Sequence, residues 1–447
     1  MKVSSMKVSV KRIVKQLILT SMAGMTFTLF SGTELFIPSG QQAVAAEQSQ
    51  VRERPRRRTP TMRQSAFKKL ERAQAAMELK DYPAVLDALE DLRGMRNINS
   101  YEEANMWNFY AFYYFELNDT ARAIQSFERI LGLEGVPIQF EDQIRYQLAQ
   151  LYFSEENYTK ALDLLNEWFS YAAEPTAAAY VFRGTINYVN EDYDAALPDI
   201  IKGIELIESA GLMPKENWYL ILRVIYYEQQ NYAEVRDILE ILVINYSKPS
   251  YWLQLAAIYG ELRDEASQLA TMEAAYKQGF LVEESYLINM AQLYMYNSVP
   301  IKASVVMQKG IEDGIIEETY KHLELYANSL INAQEFEDSI PPLIKAAGLA
   351  ESGELSIRLG QVYMERDNWP KSTAAIMQGI EKGDLRREDQ AYLLLGMAYY
   401  NYDKLEKAKE AFQEAKKDTR SRAQSAQWLK HLDNEINRRT QLALNAQ

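Results

Sequence analysis

The sequence predicts an all-α protein, a solenoid of about ten stacked helix–turn–helix units closed by a C-terminal capping helix. Three observations predict it. A pattern of small and aromatic residues at helical spacing returns ten times between residues 66 and 422, at intervals of 33 to 39 residues. Gly (19) and Pro (13) are sparse in a chain of 447 residues, so the turn punctuation of a strand-rich fold is missing. Apolar residues make up 47% and charged residues 25%, which supports a large buried surface when each unit leans on its neighbours.

The pattern is plainest near the C-terminus. Leu395, Gly396 and Tyr399 share one helical face, and Ala408, Phe412 and Ala415 follow at i, i+4 and i+7 on a second helix after the turn Asn401-Tyr402-Asp403. Small residues let two helices approach, and the large ones fill the space that remains. Upstream, the small-residue slot of the first helix holds Ala73, Ala111, Ala149, Gly184, Arg223, Ala256, Ala291, Ala327 and Gly360. A tyrosine slot three residues later holds Tyr114, Tyr152, Tyr226, Tyr259, Tyr294 and Tyr363, and the alanine slot of the second helix holds Ala123, Ala161, Ala196 and Ala303. Asn157-Tyr158, Asp192-Tyr193 and Asn231-Tyr232 recur at the turn between the helices, where Asn and Asp cap or turn the backbone. This resembles the tetratricopeptide repeat (TPR) signature. The resemblance implies a right-handed superhelix whose first helices line a concave groove that binds other proteins.

Some copies depart from the pattern. Arg223 fills a slot that favours a small residue, and the second helix near Ser267 is displaced. Pro198 and Pro341-Pro342 fit only if their helices start near Asp194 and Ser339, which would put the prolines in or beside the first turn. The array is expected over 66–422, with a charged capping helix and tail over 423–447.

The chain has no cysteine and two histidines, His322 and His431. Neither histidine stands at a metal-type spacing. Phosphate-binding glycine loops and a nucleophile elbow are also missing. Adjacent carboxylates such as Glu102-Glu103 point different ways on a helix. The expectation is a non-enzyme without metal or cofactor. The formal net charge of −13 disfavours nucleic acid and anionic lipid as partners.

The N-terminus carries an address. Lys2, Lys7, Lys11, Arg12 and Lys15 precede an uncharged apolar run from Leu17 to Phe30, and Ala43-Val44-Ala45-Ala46 supplies small residues for cleavage. Residues 1–46 are therefore expected to be a cleaved signal peptide, with an uncleaved inner-membrane anchor as the alternative. The periplasm is the expected compartment. Residues 47–65, with Arg52, Arg54, Arg56, Arg57, Arg58 and Arg63, are expected to be a basic disordered linker, and any membrane contact is expected through it or through partners.

The groove positions that the TPR resemblance implies, carried onto repeats two to four, are Asn105, Asn108, Phe109, Phe112, Tyr146, Gln147, Gln150, Phe182 and Tyr188. Carboxamides donate to and accept from an extended backbone, and rings take apolar side chains or proline. A helical aromatic stripe is also the ordinary mark of a core. The overall layout resembles a narrower group, periplasmic TPR proteins encoded beside TonB-type energy-transduction systems. That resemblance rests on the leader, the basic start and the stretch Thr61 to Leu70 (TMRQSAFKKL) running into the repeats. It implies an accessory role in TonB-dependent transport, with a periplasmic or membrane-anchored partner such as a TonB-complex component. The alternative is a scaffold for envelope biogenesis, in polysaccharide export or outer-membrane assembly.

Overall fold

The computed structural model describes residues 60–445. The expected signal peptide and residues 47–59 of the expected linker lie outside the described residues. Among the described residues there are twenty-one helices and no strand. They fall into two compact units that divide between Tyr246 and Ser247.

The first unit holds five antiparallel pairs: α1 (Gln64–Glu78) with α2 (Tyr82–Arg93), α3 (Ser100–Glu116) with α4 (Thr120–Leu131), α5 (Ile138–Ser154) with α6 (Tyr158–Tyr171), α7 (Ala177–Val189) with α8 (Tyr193–Ser209), and α9 (Glu216–Glu228) with α10 (Tyr232–Tyr246). The second holds α11 (Pro249–Glu261) with α12 (Glu265–Lys277), α13 (Glu284–Tyr296) with α14 (Pro300–Glu312), α15 (Tyr320–Asn332) with α16 (Phe336–Leu349), α17 (Glu354–Glu365) with α18 (Trp369–Lys382), and α19 (Glu388–Asn401) with α20 (Leu405–Ala415). A single helix, α21 (Arg422–Asn445), follows.

One local device makes all ten turns. Seven residues after each small-residue slot stands a left-handed residue: Lys80, Asn118, Glu156, Glu191 and Gln230 in the first unit, and Arg263, Ser298, Gln334, Asp367 and Asp403 in the second. The next N–H reaches back to the first helix, as Asp119 does to the Tyr114 carbonyl at 2.8 Å and Asn368 to that of Tyr363 at 2.9 Å. This closes the helix in the Schellman manner. The same residue often caps the second helix: the side chains of Asp81, Asp119, Asn157, Asp192, Asp264 and Asn368 each accept from an N–H three residues on. Two adjacent residues thus end one helix and begin the next.

The slots have matching packing roles. A Cβ on Gly184 would stand 2.6 Å from Ile200, and one on Gly396 would stand 2.5 Å from the Phe412 ring, so these positions let the second helix approach. The tyrosine slot holds a cation from the second helix over its ring. Arg122 lies 5.2 Å from the centre of Tyr114, Lys160 4.7 Å from Tyr152, Lys302 5.5 Å from Tyr294, and Lys371 and Lys407 5.6 Å from Tyr363 and Tyr399. Each lies within the ~6 Å at which a ring quadrupole attracts a cation.

Two expectations need correction. The α8 helix begins at Tyr193, next to the expected Asp194, whereas α16 begins at Phe336, three residues before Ser339, so Pro341 and Pro342 lie inside the helix, beyond the first turn. In α8 the start is set by the Asp192 cap, which accepts from Ala195 N–H. At the other end of the array, α1 begins at Gln64, and Arg63 is tied to α3 by its backbone N–H and guanidinium, both donating to Glu102. These last residues of the expected linker are part of the first repeat.

The capping helix covers the last pair. Trp428 stacks on Phe412 with centroids 5.4 Å apart and planes 10° from parallel, Leu432 is fully buried, and Lys409 donates to Asp433 at 2.8 Å. A Trp428→Ala change is expected to cost about 2 kcal/mol or more. Hydrogen exchange should find the lost protection confined to α19–α21, because stability in a stacked array passes between neighbours. Uniform loss along the whole chain would contradict this.

Candidate functional site

The predicted groove residues lie in the first unit, on α3, α5 and α7. Their side chains do not form one continuous open surface. Phe109 is 2% exposed and packs in a core with Leu70, Ala73, Leu89 and Leu92. Asn105 is buried and donates its amide to the Tyr101 carbonyl at 2.8 Å. Phe112 is half-buried and meets Phe127 edge-on at 5.9 Å. Phe182, Tyr188 and Gln147 are buried as well. Small alanines at the neighbouring slots bring the next helix close, and these side chains fill the resulting space.

Tyr146 marks the centre of what remains. Its half-buried ring lies 5.3 Å from Trp168 and 5.8 Å from Phe182, and Phe182 in turn meets Phe153 at 5.7 Å. Burial pushes the Tyr146 hydroxyl up to about 12, so it stays protonated as a hydrogen-bond donor near neutral pH. One turn later on α5 comes Gln150, 7% exposed, whose Oε1 is buried and has no hydrogen-bond partner. On α3, Asn108 is half-buried with an Oδ1 in the same condition. Buried polar atoms in folded proteins are almost always paired. Two carboxamide oxygens on successive first helices are thus enclosed without a hydrogen-bond partner, the second of them one turn from the Tyr146 phenol.

Trp168 was not foreseen as part of this cluster. It lies on the second helix of its pair, where the repeat pattern assigns packing, and only the ring contacts reveal it. Nearby, Arg183 lies 3.8 Å from the centre of the Phe169 ring and forks onto Asp199 at 2.6 and 2.7 Å, which ties α7 to its neighbours. The slot outlier Arg223 is buried beside Tyr188.

The two histidines have local roles. His322 Nδ1 lies 2.9 Å from the Glu317 carbonyl, and His431 Nε2 lies 3.0 Å from the Tyr400 hydroxyl. Among the described residues, no group of three or more His, Cys, Asp or Glu is placed to hold a metal ion, and no helix is long and apolar enough to cross a membrane.

The tetratricopeptide repeat family matches residues 70–137. No curated protein matches the chain. Similar solved structures include a tetratricopeptide repeat protein from Parabacteroides merdae, at 16% identity over 60% of this chain and 99% of that one, with a TM-score of 0.36. The C-terminal part of a TPR repeat-containing protein from Cytophaga hutchinsonii shares 15% identity over 55% of this chain and 98% of that one, with a TM-score of 0.34. YrrB, described as a TPR protein with an unusual peptide-binding site, shares 14% identity over 43% of this chain and 96% of that one, with a TM-score of 0.35. By the matched sequence, residues 70–137 are tetratricopeptide repeat, and the other described residues continue the same paired-helix architecture, a fold that suggests a protein-interaction scaffold.

Proposed function

We propose that the chain is a non-catalytic periplasmic scaffold that binds an extended segment of a periplasmic or membrane-anchored protein in the groove of repeats two to four, as an accessory of a TonB-dependent transport system. The observation that carries the groove is the pair of unpaired oxygens, Asn108 Oδ1 and Gln150 Oε1, on successive first helices. Both oxygens are enclosed in the free chain and accept only, so the two carboxamides turn outward to meet the ligand, whose residues there present backbone N–H groups and are not proline. Proline and apolar side chains fit between them, against Tyr146 and Phe112. The leader sequence supports export, and the stretch Thr61 to Leu70 supports the transport system.

A photo-crosslinking residue at position 150 or 108 in cells tests the reading. The expected result is one dominant adduct with a component of the transport complex, lost in a Phe112→Ala, Tyr146→Ala double variant that still melts normally. Truncating a central aromatic anchor typically costs ~2 kcal/mol, roughly thirtyfold in affinity. Adducts only with polysaccharide-export or outer-membrane-assembly proteins would move the scaffold to envelope biogenesis. Full capture by the folded double variant would remove the groove. Amino-terminal sequencing should find Ala46 or Glu47 first, and an intact Met1 on membrane-bound protein would overturn the export reading.

A further inference from the structure

In the second unit a thioether joins α18 to α19. Met377 on α18 is 50% exposed, and its Sδ lies 2.9 Å from the Tyr399 hydroxyl, which donates to it. The Tyr399 ring is fixed in place: it is 8% exposed, and Lys407 stands 5.6 Å from its centre. Burial, with a smaller push from Glu410, raises the Tyr399 hydroxyl above the ordinary tyrosine value, so it stays protonated and remains a donor. The other methionines of this unit are less open. Met272, Met290 and Met307 are at most 2% exposed and pack in one core, and Met295, Met364 and Met397 are half-buried.

A thioether sulfur is a weak acceptor with two lone pairs, and oxygen transfer to one or the other makes a different sulfoxide epimer. In Met377 the Tyr399 proton occupies one pair and the other is left for attack. We propose that Met377 is a reversible oxidation site, converted by hydrogen peroxide to predominantly one sulfoxide epimer, which makes the chain a substrate for the methionine sulfoxide reductase that matches this epimer. The free lone pair attacks one peroxide oxygen. The S–O bond forms, the O–O bond breaks, and the departing hydroxide takes the proton of the transferred oxygen and leaves as water. Sulfur loses two electrons and the peroxide gains them. The new oxygen stands on a half-open side chain, where water can hydrate it. In Met272, Met290 or Met307 it would be a buried acceptor without a partner, which is costly. Tyr399 is a positioning residue: it decides which face of the sulfur reacts and takes no part in the transfer.

The test is mass spectrometry of the full chain after graded hydrogen peroxide, with the digested peptides then treated separately with methionine sulfoxide reductase A or B. Each enzyme acts on one epimer. One of them should restore about five times as much Met377 as the other, the ratio expected from a single hydrogen bond held on one lone pair. Met213, 53% exposed in the α8–α9 connection, should be restored equally by both. Tyr399→Phe keeps the ring and removes the donor, and should bring Met377 to the same equality. Should that variant fail to fold, wild-type chain oxidised in guanidinium is expected to lose the excess. Equal epimers at Met377 in the folded wild type would overturn the proposal, and so would an excess that persists in folded Tyr399→Phe or in the unfolded chain. Oxidation of Met272, Met290 or Met307 ahead of Met377 would overturn it too.

Discussion

Arg63→Ala is expected to lower the stability of the first repeats, by less than the usual cost of breaking a fully buried ion pair because the guanidinium is partly in water. Glu102 has no exposed side-chain surface. Its carboxylate accepts from the Arg63 backbone N–H at 2.8 Å and Nε at 2.9 Å, and from the Asn99 N–H at 3.2 Å. Burial alone would raise its pKa, but the hydrogen bonds from Arg63, with help from Asn99 and the arginine charge, bring it below the ordinary glutamate value. The sign of the pH dependence follows. A depressed folded pKa gives stability that is complete above the unfolded carboxyl value of about 4.3 and fades as pH falls through the folded one. Thermal melts of wild type and Arg63→Ala should therefore differ clearly at pH 7 and converge toward pH 3. Glu102→Gln removes the charge and should flatten the acid dependence. Equal melting at pH 7 would show that Arg63 contributes nothing to the array.

Gly353→Ala is expected to have the larger effect in the second unit, about 3 kcal/mol or more. A Cβ there would stand 2.0 Å from the Gly379 carbonyl oxygen and 2.7 Å from its carbon. Both contacts are with backbone of α18, so no rotamer relieves them. The Gly353 N–H also donates to the Gly383 carbonyl at 2.9 Å, which holds the two strands of chain at that distance. Gly353 has φ −75°, so the penalty is steric and not one of backbone preference. Gly348 provides the contrast. It lies in α16, and an added Cβ meets nothing within 4 Å. Gly348→Ala should stabilise by roughly 0.5–1 kcal/mol through helix propensity. Calorimetry of the two variants checks both signs, and a stable Gly353→Ala protein would disprove the close approach.

Most of the local structure was legible because the instructions are short-range. The small slot, the left-handed residue seven positions later and the Asp or Asn that follows lie within nine residues, so Ala111-Asn118-Asp119 or Gly360-Asp367-Asn368 can be read without knowing any neighbour. The tyrosine slot could be found by its spacing, although its cation partner became evident only with the second helix in place. Pro341-Pro342 misled because proline preference gives only a prior on helix boundaries, and α16 starts at Phe336, three residues ahead of Ser339.

The site divides along the same line. The sequence by itself determined the helical pairs, their turns and the face of the first helix on which Asn105, Asn108, Phe109, Tyr146, Gln150, Phe182 and Tyr188 lie. Helical periodicity fixes an angle about one axis and nothing more. Only the tertiary structure decided which of those side chains are spent: Phe109 in the core, Asn105 on the Tyr101 carbonyl, Phe182 between Tyr146 and Phe153, and Tyr188 against Tyr193. It also decided that Asn108 and Gln150 keep an unpaired oxygen. The physical reason is that exposure depends on how closely the next helix approaches. That distance is set by side chains some thirty-five residues away in sequence, which the spacing of one helix does not encode.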